Sequence, residues 1–171
     1  MKKIFTMILS LTLILVFSAC GAPAARETQA PVHIANPYTT CDSQEEMEEL
    51  AGFEVTLPEG LPPFVTKTIY RTIPGELVEV IYTNEDMDNE IRVRIAMGDR
   101  DISGVYDSDH TEIQDVLVDG RQVQLKGDPG DVGTFTVFVS TWRSDEGRTY
   151  SVTSTQGVEK ELMLPILQQI H

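Results

Sequence analysis

The chain has two cysteines, three histidines and one tryptophan in 171 residues. Two cysteines cannot build a disulfide framework, and no CxxC pair exists to hold zinc or exchange thiols. His33 falls in a Pro- and Ala-rich stretch and His171 is the last residue, so His110 is the one imidazole placed to act as acid, base or ligand. HExxH, GxSxG and phosphate-cradling glycine loops are all missing, and nothing in the spacing brings a particular serine to His110. Catalytic residues are therefore none, and the expectation is a protein that is not an enzyme. Asn36 precedes Pro37, and neither Asn84 nor Asn89 has a hydroxyl residue two positions on, so no glycosylation sequon is present. Basic residues are also scarce. Thirteen face 27 acidic ones, and a formal charge of −14 argues against nucleic acid and against adsorption to anionic lipid.

The chain has one long hydrophobic run, and it opens the sequence. Lys2 and Lys3 precede an almost wholly apolar stretch from Ile4 to Phe17, followed by Ser18, Ala19 and Cys20. That order is a secretory signal. With a cysteine in the first mature position it becomes the lipoprotein version, in which the Cys20 thiol is acylated (with palmitate or a similar chain) and cleavage falls before it. Phe17 stands where such signals most often carry Leu. As a helix the run rises about 21 Å, short of the roughly 30 Å hydrocarbon core of a bilayer, so a permanent span is disfavoured. Two or three acyl chains on Cys20 suffice for stable anchoring. The expected location is the outer face of the cell membrane. Removing residues 1–19 takes two lysines with it and lowers the formal charge from −14 to −16.

Three segments follow: a signal peptide over 1–19, a lipidated Cys20 with a flexible Ala/Pro spacer over 20–37, and a single domain over 38–171. The spacer GAPAARETQAPVHIANP has no apolar period, and as a coil spans roughly 20–25 Å. With Cys20 lipidated, Cys41 is an isolated thiol whose plainest reading is a small buried hydrophobe.

In the domain, Ser43 with Glu46 three residues on forms a capping box for a short helix, with Met47, Leu50 and Ala51 as its apolar stripe and Gly52 as its left-handed stop. Strand signals then dominate to Gly157. Pairing Thr83 with Glu90 across NEDMDN sets Val78, Val80 and Tyr82 against Ile95, Val93 and Ile91, and sets Glu79 against Arg94 on the opposite face. Asp119-Gly120 is a type I′ signal that pairs Val116 with Val123. Phe135–Trp142 returns through SDEG with Val139 against Val152 and Thr141 against Tyr150. Pro63–Ile73 supplies a further strand and Phe53–Leu57 a short edge piece. Val158, Leu162, Ile166 and Ile170 share one face of a terminal helix that Pro165 kinks or divides. The expected fold is α+β: a curved, half-barrel-like antiparallel meander of about six to seven strands with both helices on one face.

Two clusters are candidate sites. Asp99-Arg100-Asp101-Ile102-Ser103-Gly104 opens like a calcium loop, with Asp99, Asp101, Ser103 and Asp107 as ligands, but the twelfth position is His110 where a bidentate Glu belongs. Metal binding is thus not expected, and Ca2+ is the one cofactor the pattern allows. On alternation, Phe138 and Trp142 point away from Phe135, Val137 and Val139 and share a face with Thr149 and Ser151. These four residues form a candidate binding surface.

The phrases NPYTTC, DSQEEMEELAGFEV, LPEGLPP, GELVEVIYTNEDMDNEIRVRIA, DISGVY, VLVDGRQVQLKG and STWRSDEGRTYSVTSTQGVEKEL, together spanning Asn36 to Ile170, carry a resemblance. The chain resembles a domain of unknown function in Gram-positive extracytoplasmic lipoproteins, also found appended to anti-sigma factors. That family in turn resembles the half-barrels of lipoprotein carriers and envelope-stress sensors. The resemblance implies fold and placement, and brings no catalytic residues with it. The leading expectation is a membrane-anchored, monomeric sensor or accessory domain that binds an unknown envelope protein or ligand. The alternatives are a lipid or lipoprotein carrier with an apolar concavity, and a hydrolase of wall polymers using two carboxylates.

Overall fold

The computed structural model describes residues 36–105, 110 and 112–171. The leader, Cys20, the spacer up to Ala35 and Asp107 lie outside the described residues. Among these, eight strands form one sheet: β1 (Thr39–Cys41), β2 (Lys67–Ile73), β3 (Leu77–Thr83), β4 (Glu90–Met97), β5 (Glu112–Val118), β6 (Arg121–Pro129), β7 (Phe135–Arg143) and β8 (Arg148–Glu159). Two helices join them, α1 (Gln44–Ala51) and α2 (Lys160–Gln168). No described helix is long and apolar enough to cross a membrane.

The strand order is β1-β2-β3-β4-β8-β7-β6-β5, antiparallel throughout. A simple meander is therefore not what forms, and the strand count is eight where six to seven were expected. Two four-stranded meanders, β1–β4 and β5–β8, close through the pairing of β4 with β8. The β4–β5 connection must consequently pass three intervening strands, about 19 Å at the usual spacing. No edge strand forms at Phe53–Leu57; that edge is β1, while Thr56 exchanges backbone bonds with His171.

Local chemistry explains both helices. Ser43 Oγ accepts from Glu46 N–H at 3.2 Å, while Glu46 Oε2 accepts from Asp42 N–H at 2.7 Å. The Glu45 carboxyl is held below its ordinary value by its own backbone N–H and then by the Ser43 hydroxyl. Gly52 ends α1 at φ 81°. In α2 the buried residues are Met163, Ile166 and Leu167, followed by Ile170, whereas Leu162 is 58% exposed and Val158 belongs to β8. Pro165 sits inside α2 without dividing it. Arg121 satisfies carbonyls at the end of this helix, donating to Leu167 O at 3.1 Å and Ile170 O at 2.6 Å.

Both helices pack on the same face of the sheet. Met47 and Ala51 of α1 join Met163, Ile166 and Leu167 of α2 in one core with Val78, Val80, Ile95, Val123, Leu125 and Val152. Burying each large side chain contributes about 1.5–3 kcal/mol.

The expected registers hold for β3–β4 and β5–β6: Thr83 pairs with Glu90, Val80 with Val93, and Val116 with Val123. Asp119 and Gly120 both have positive φ, as a type I′ turn requires. The β7–β8 hairpin differs by one residue. Val139 pairs with Thr153, Thr141 with Ser151 and Trp142 with Tyr150. A single-residue slip exchanges faces. A bulge at Phe138 completes the change, because β7 then turns Phe135 and Val137 inward on one side of it and Trp142 inward on the other. Opposite Phe138, β8 makes its own detour over 154–157, ending at Gly157 with φ 74°.

Candidate functional site

The face opposite the helices is polar, and its pattern follows from the registers. One row of cross-strand neighbours runs over seven strands as Arg71, Glu79, Arg94, Ser151, Thr141, Gln124 and Asp115. Every member carries a polar side chain. Glu79 is fully buried in the middle of β3, where a lone charge would be costly. Three arginines compensate it. Arg71 donates through Nε at 2.7 Å and also through Nη2, Arg94 Nε lies at 2.8 Å, and Arg92 Nε at 3.6 Å. Arg92 also reaches Glu90 at 2.7 Å.

Arg94 continues the network off the sheet. Its Nη1 donates to Ile102 O at 3.0 Å and to Ser103 O, pinning the start of the β4–β5 connection. Ile102 completes that anchor by packing with Leu77 and Ala96 in a small second core. Gly104, at φ 69°, is required here, since a Cβ would run into the Arg94 guanidinium. At the far end of the described connection, His110 stacks on Phe138 with centroids 3.9 Å apart, and its Nδ1 lies 2.9 Å from Asp128 Oδ2. Residues 98–105 and His110 thus form the described parts of a strap over this face.

Open grooves flank the strap. One of about 330 Å³ is lined by Arg92, Arg94, His110, Phe138, Thr153 and Thr155 among others, and one of about 410 Å³ by Arg100, Asp101, Lys126, Thr141, Arg143 and Thr149 among others. A third, of about 740 Å³, lies at the sheet end among Arg121, Gln122, Trp142, Asp145, Arg148 and His171. Seven of the ten lysines and arginines in residues 36–171 belong to the strap face: Lys67, Arg71, Arg92, Arg94, Arg100, Lys126 and Arg143.

The four residues of the expected binding surface do not come together. Phe138 lines the groove beside His110, and Thr149 and Ser151 lie on the same side of the sheet, where Thr149 Oγ1 donates to Gly98 O at 2.6 Å. Trp142 points to the core and stacks on Tyr150 at 4.9 Å. The register slip and the bulge at Phe138 are the physical reason. Arg71 was missed because β2 was never given a register, and Arg92, on the same face of β4 as Arg94, was missed because it meets Glu79 on the diagonal and not as its direct partner. A charged residue in the middle of each of three apolar-alternating strands was the available signal.

In the calcium-like loop, Asp101 Oδ1 accepts from Ser103 N–H at 2.8 Å and Ser103 Oγ from Val105 N–H at 3.2 Å. Asp99 contributes its carbonyl to Arg143. Arg94 donates to the Ile102 and Ser103 carbonyls and so sets a fixed positive charge against the loop, which opposes a cation there. Among the described residues no three His, Cys, Asp or Glu side chains gather as a metal set. His110 with Asp128 makes two parts of a nucleophile-activating triad, but among the described residues no hydroxyl bonds to its Nε2. Cys41 is buried, and its thiol is pushed above its ordinary value first by burial and then by Glu46 and Asp42, which suits an inert side chain.

No family model matches the chain, and searches of curated proteins and of solved structures find no match either.

Proposed function

We propose that the chain is a lipid-anchored extracytoplasmic protein, akin to the lipoprotein domains it resembles, that binds a ligand or envelope partner and catalyses no reaction. The N-terminal signal with Cys20 supports the placement. The open antiparallel sheet with two helices on one face suits a half-barrel-like binding scaffold. The observation that carries the reading is the contrast between the two faces. Met47, Met163, Ile166, Leu167 and Ile170 fill the helix side, each at most 1% exposed, so an acyl chain would have to displace them. The strap side keeps grooves lined by guanidinium, hydroxyl and imidazole groups, the adaptable polar donors of a recognition surface.

Two measurements test it. Metabolic labelling with palmitate is expected to mark the wild-type chain and to vanish in Cys20→Ser. Photocrosslinkers placed at Thr153 and Lys126 in intact membranes are expected to capture one reproducible partner or ligand, while a crosslinker at the exposed Leu162 of α2 captures none. Labelling that survives Cys20→Ser would remove the anchor. Repeated failure of the strap-face crosslinkers would remove the binding role.

A further inference from the structure

We infer that β5 is a docking edge, which takes a basic, extended segment of a partner protein as an added strand, with Asp115 selecting its charge. This rests on the binding role proposed above and names a surface and a partner class for it. The two ends of the sheet are built differently. β1 closes one end with three residues directly after Pro37, and a strand so short presents little to pair with. β5 closes the other with seven residues that pair with β6 without a register shift. Short length, prolines, bulges and lysines are what ordinarily keep a sheet edge from pairing, and Glu112–Val118 has none of them.

The hairpin register decides which backbone groups are open. Val118 and Arg121 close a two-residue type I′ turn, so Val118, Val116, Gln114 and Glu112 exchange hydrogen bonds with β6. Ile113, Asp115 and Leu117 then aim their N–H and C=O groups away from β6, and among the described residues no strand or backbone group meets them. An incoming strand satisfies these groups in alternation. The three side chains form an apolar–acidic–apolar row on the strap side. Ile113 is 60% exposed and Leu117 77%, more than any other large apolar residue described. Across β6 they meet Lys126 and Gln122, so neither has an apolar cross-strand partner within the chain. Asp115 stands exposed between them, opposite Gln124.

That carboxylate decides between occupants. In a symmetric antiparallel pairing of two copies, matching Ile113 of one to Leu117 of the other sets the two Asp115 side chains face to face, and like charges directly opposite are unfavourable. The net charge of −14 adds repulsion between copies. A partner strand with lysine or arginine between two alternate apolar residues turns the same position into an ion pair and covers Ile113 and Leu117.

The test adds an end-blocked peptide, Thr-Val-Thr-Lys-Thr-Val-Thr, to the full chain and follows amide hydrogen exchange by NMR, with the glutamate-centred peptide as its pair. Saturable slowing is expected at Ile113, Asp115 and Leu117, alternating with Gln114 and Val116, whose N–H groups β6 already holds. The lysine peptide should bind about fivefold tighter than the glutamate peptide. Asp115→Lys should reverse that order, and Leu117→Thr, which keeps a good strand former at an exposed position, should weaken both peptides. If Asp115→Lys loses its thermal unfolding transition, Asp115→Asn carries the comparison and should bind the two peptides alike. Binding without the alternating pattern, or equal affinity of the wild type for the two peptides, overturns the inference. Alternating protection that grows with chain concentration and needs no peptide assigns the edge to a second copy and overturns the basic partner. Should both peptides fail while the strap-face crosslinkers still capture a partner, the binding role stands and the docking edge is lost.

Discussion

On the helix side of the sheet, Met163, Ile166, Leu167 and Ile170 are buried by contact with other apolar side chains. On the strap side, Glu79 is buried just as completely, and three arginines surround it. Apolar burial has no preferred direction, so it holds two helices down without specifying what else lies on the surface. The charged network is directional. It fixes each guanidinium, and through Arg94 it fixes the carbonyls of Ile102 and Ser103, so that the strap lies in one place and a groove remains beside it. Stability on one face and a shaped polar surface on the other thus arise from opposite means.

The largest effect should come from breaking the network at its centre. Glu79→Gln leaves three guanidinium groups facing a neutral buried amide and is expected to cost about 3 kcal/mol in urea denaturation. The lower end of the range for buried pairs applies, because the Arg71 and Arg92 side chains remain 25% and 29% exposed. A loss below about 1 kcal/mol would show that water, not Glu79, balances these arginines. The two faces would then differ less than their packing implies.

The same contrast governs how much of the molecule was legible in its sequence. Val78, Val80 and Tyr82 face Ile95, Val93 and Ile91 because apolar alternation permits one register across the NEDMDN loop. Asp119-Gly120 was readable for the same local reason. Phe138 was not: a bulge leaves no mark in an alternating string, and it moved Trp142 into the core. Nor was the passage of the β4–β5 connection across three strands, since strand order is set by long-range packing. Of the candidate site, the Glu79–Arg94 pair was visible from parity. Its extension to Arg71 and the strap required the β2 register and the crossing, whereas Arg92 already shared the face of Arg94 and needed only its diagonal reach to Glu79.

A smaller effect should come from loosening the strap alone. Gly104→Ala strains a residue at φ 69° and pushes against the Arg94 guanidinium, at an expected cost of about 1–2 kcal/mol. The effect should be local. Hydrogen exchange is expected to quicken at Ser103 and Val105, whose N–H groups are bonded within the strap, while Ile166 and Leu167 keep their protection. Equal quickening on both faces would mean that the strap is part of the global folding unit and not a separable layer.

The smallest effect belongs to the helix face and appears only in alkali. Tyr82 faces the core, and its phenol is pushed well above its ordinary value by burial and secondarily by Tyr70. Burial opposes the tyrosinate, so the folded chain keeps the proton to higher pH than the unfolded chain, whose tyrosines titrate near pH 10. Below about pH 10 both states are neutral at this site and it contributes no pH dependence. Above it the unfolded state ionises first, and stability falls by about 1.4 kcal/mol per pH unit until the folded phenol also titrates. Tyr82→Phe should therefore match the wild type to within about 1 kcal/mol at neutral pH, and lose stability less steeply between about pH 10 and about pH 11.5. Urea midpoints measured across that interval give the difference. Parallel slopes for the two proteins would mean that water reaches Tyr82 beneath the helices, and the helix face would no longer be the dry one.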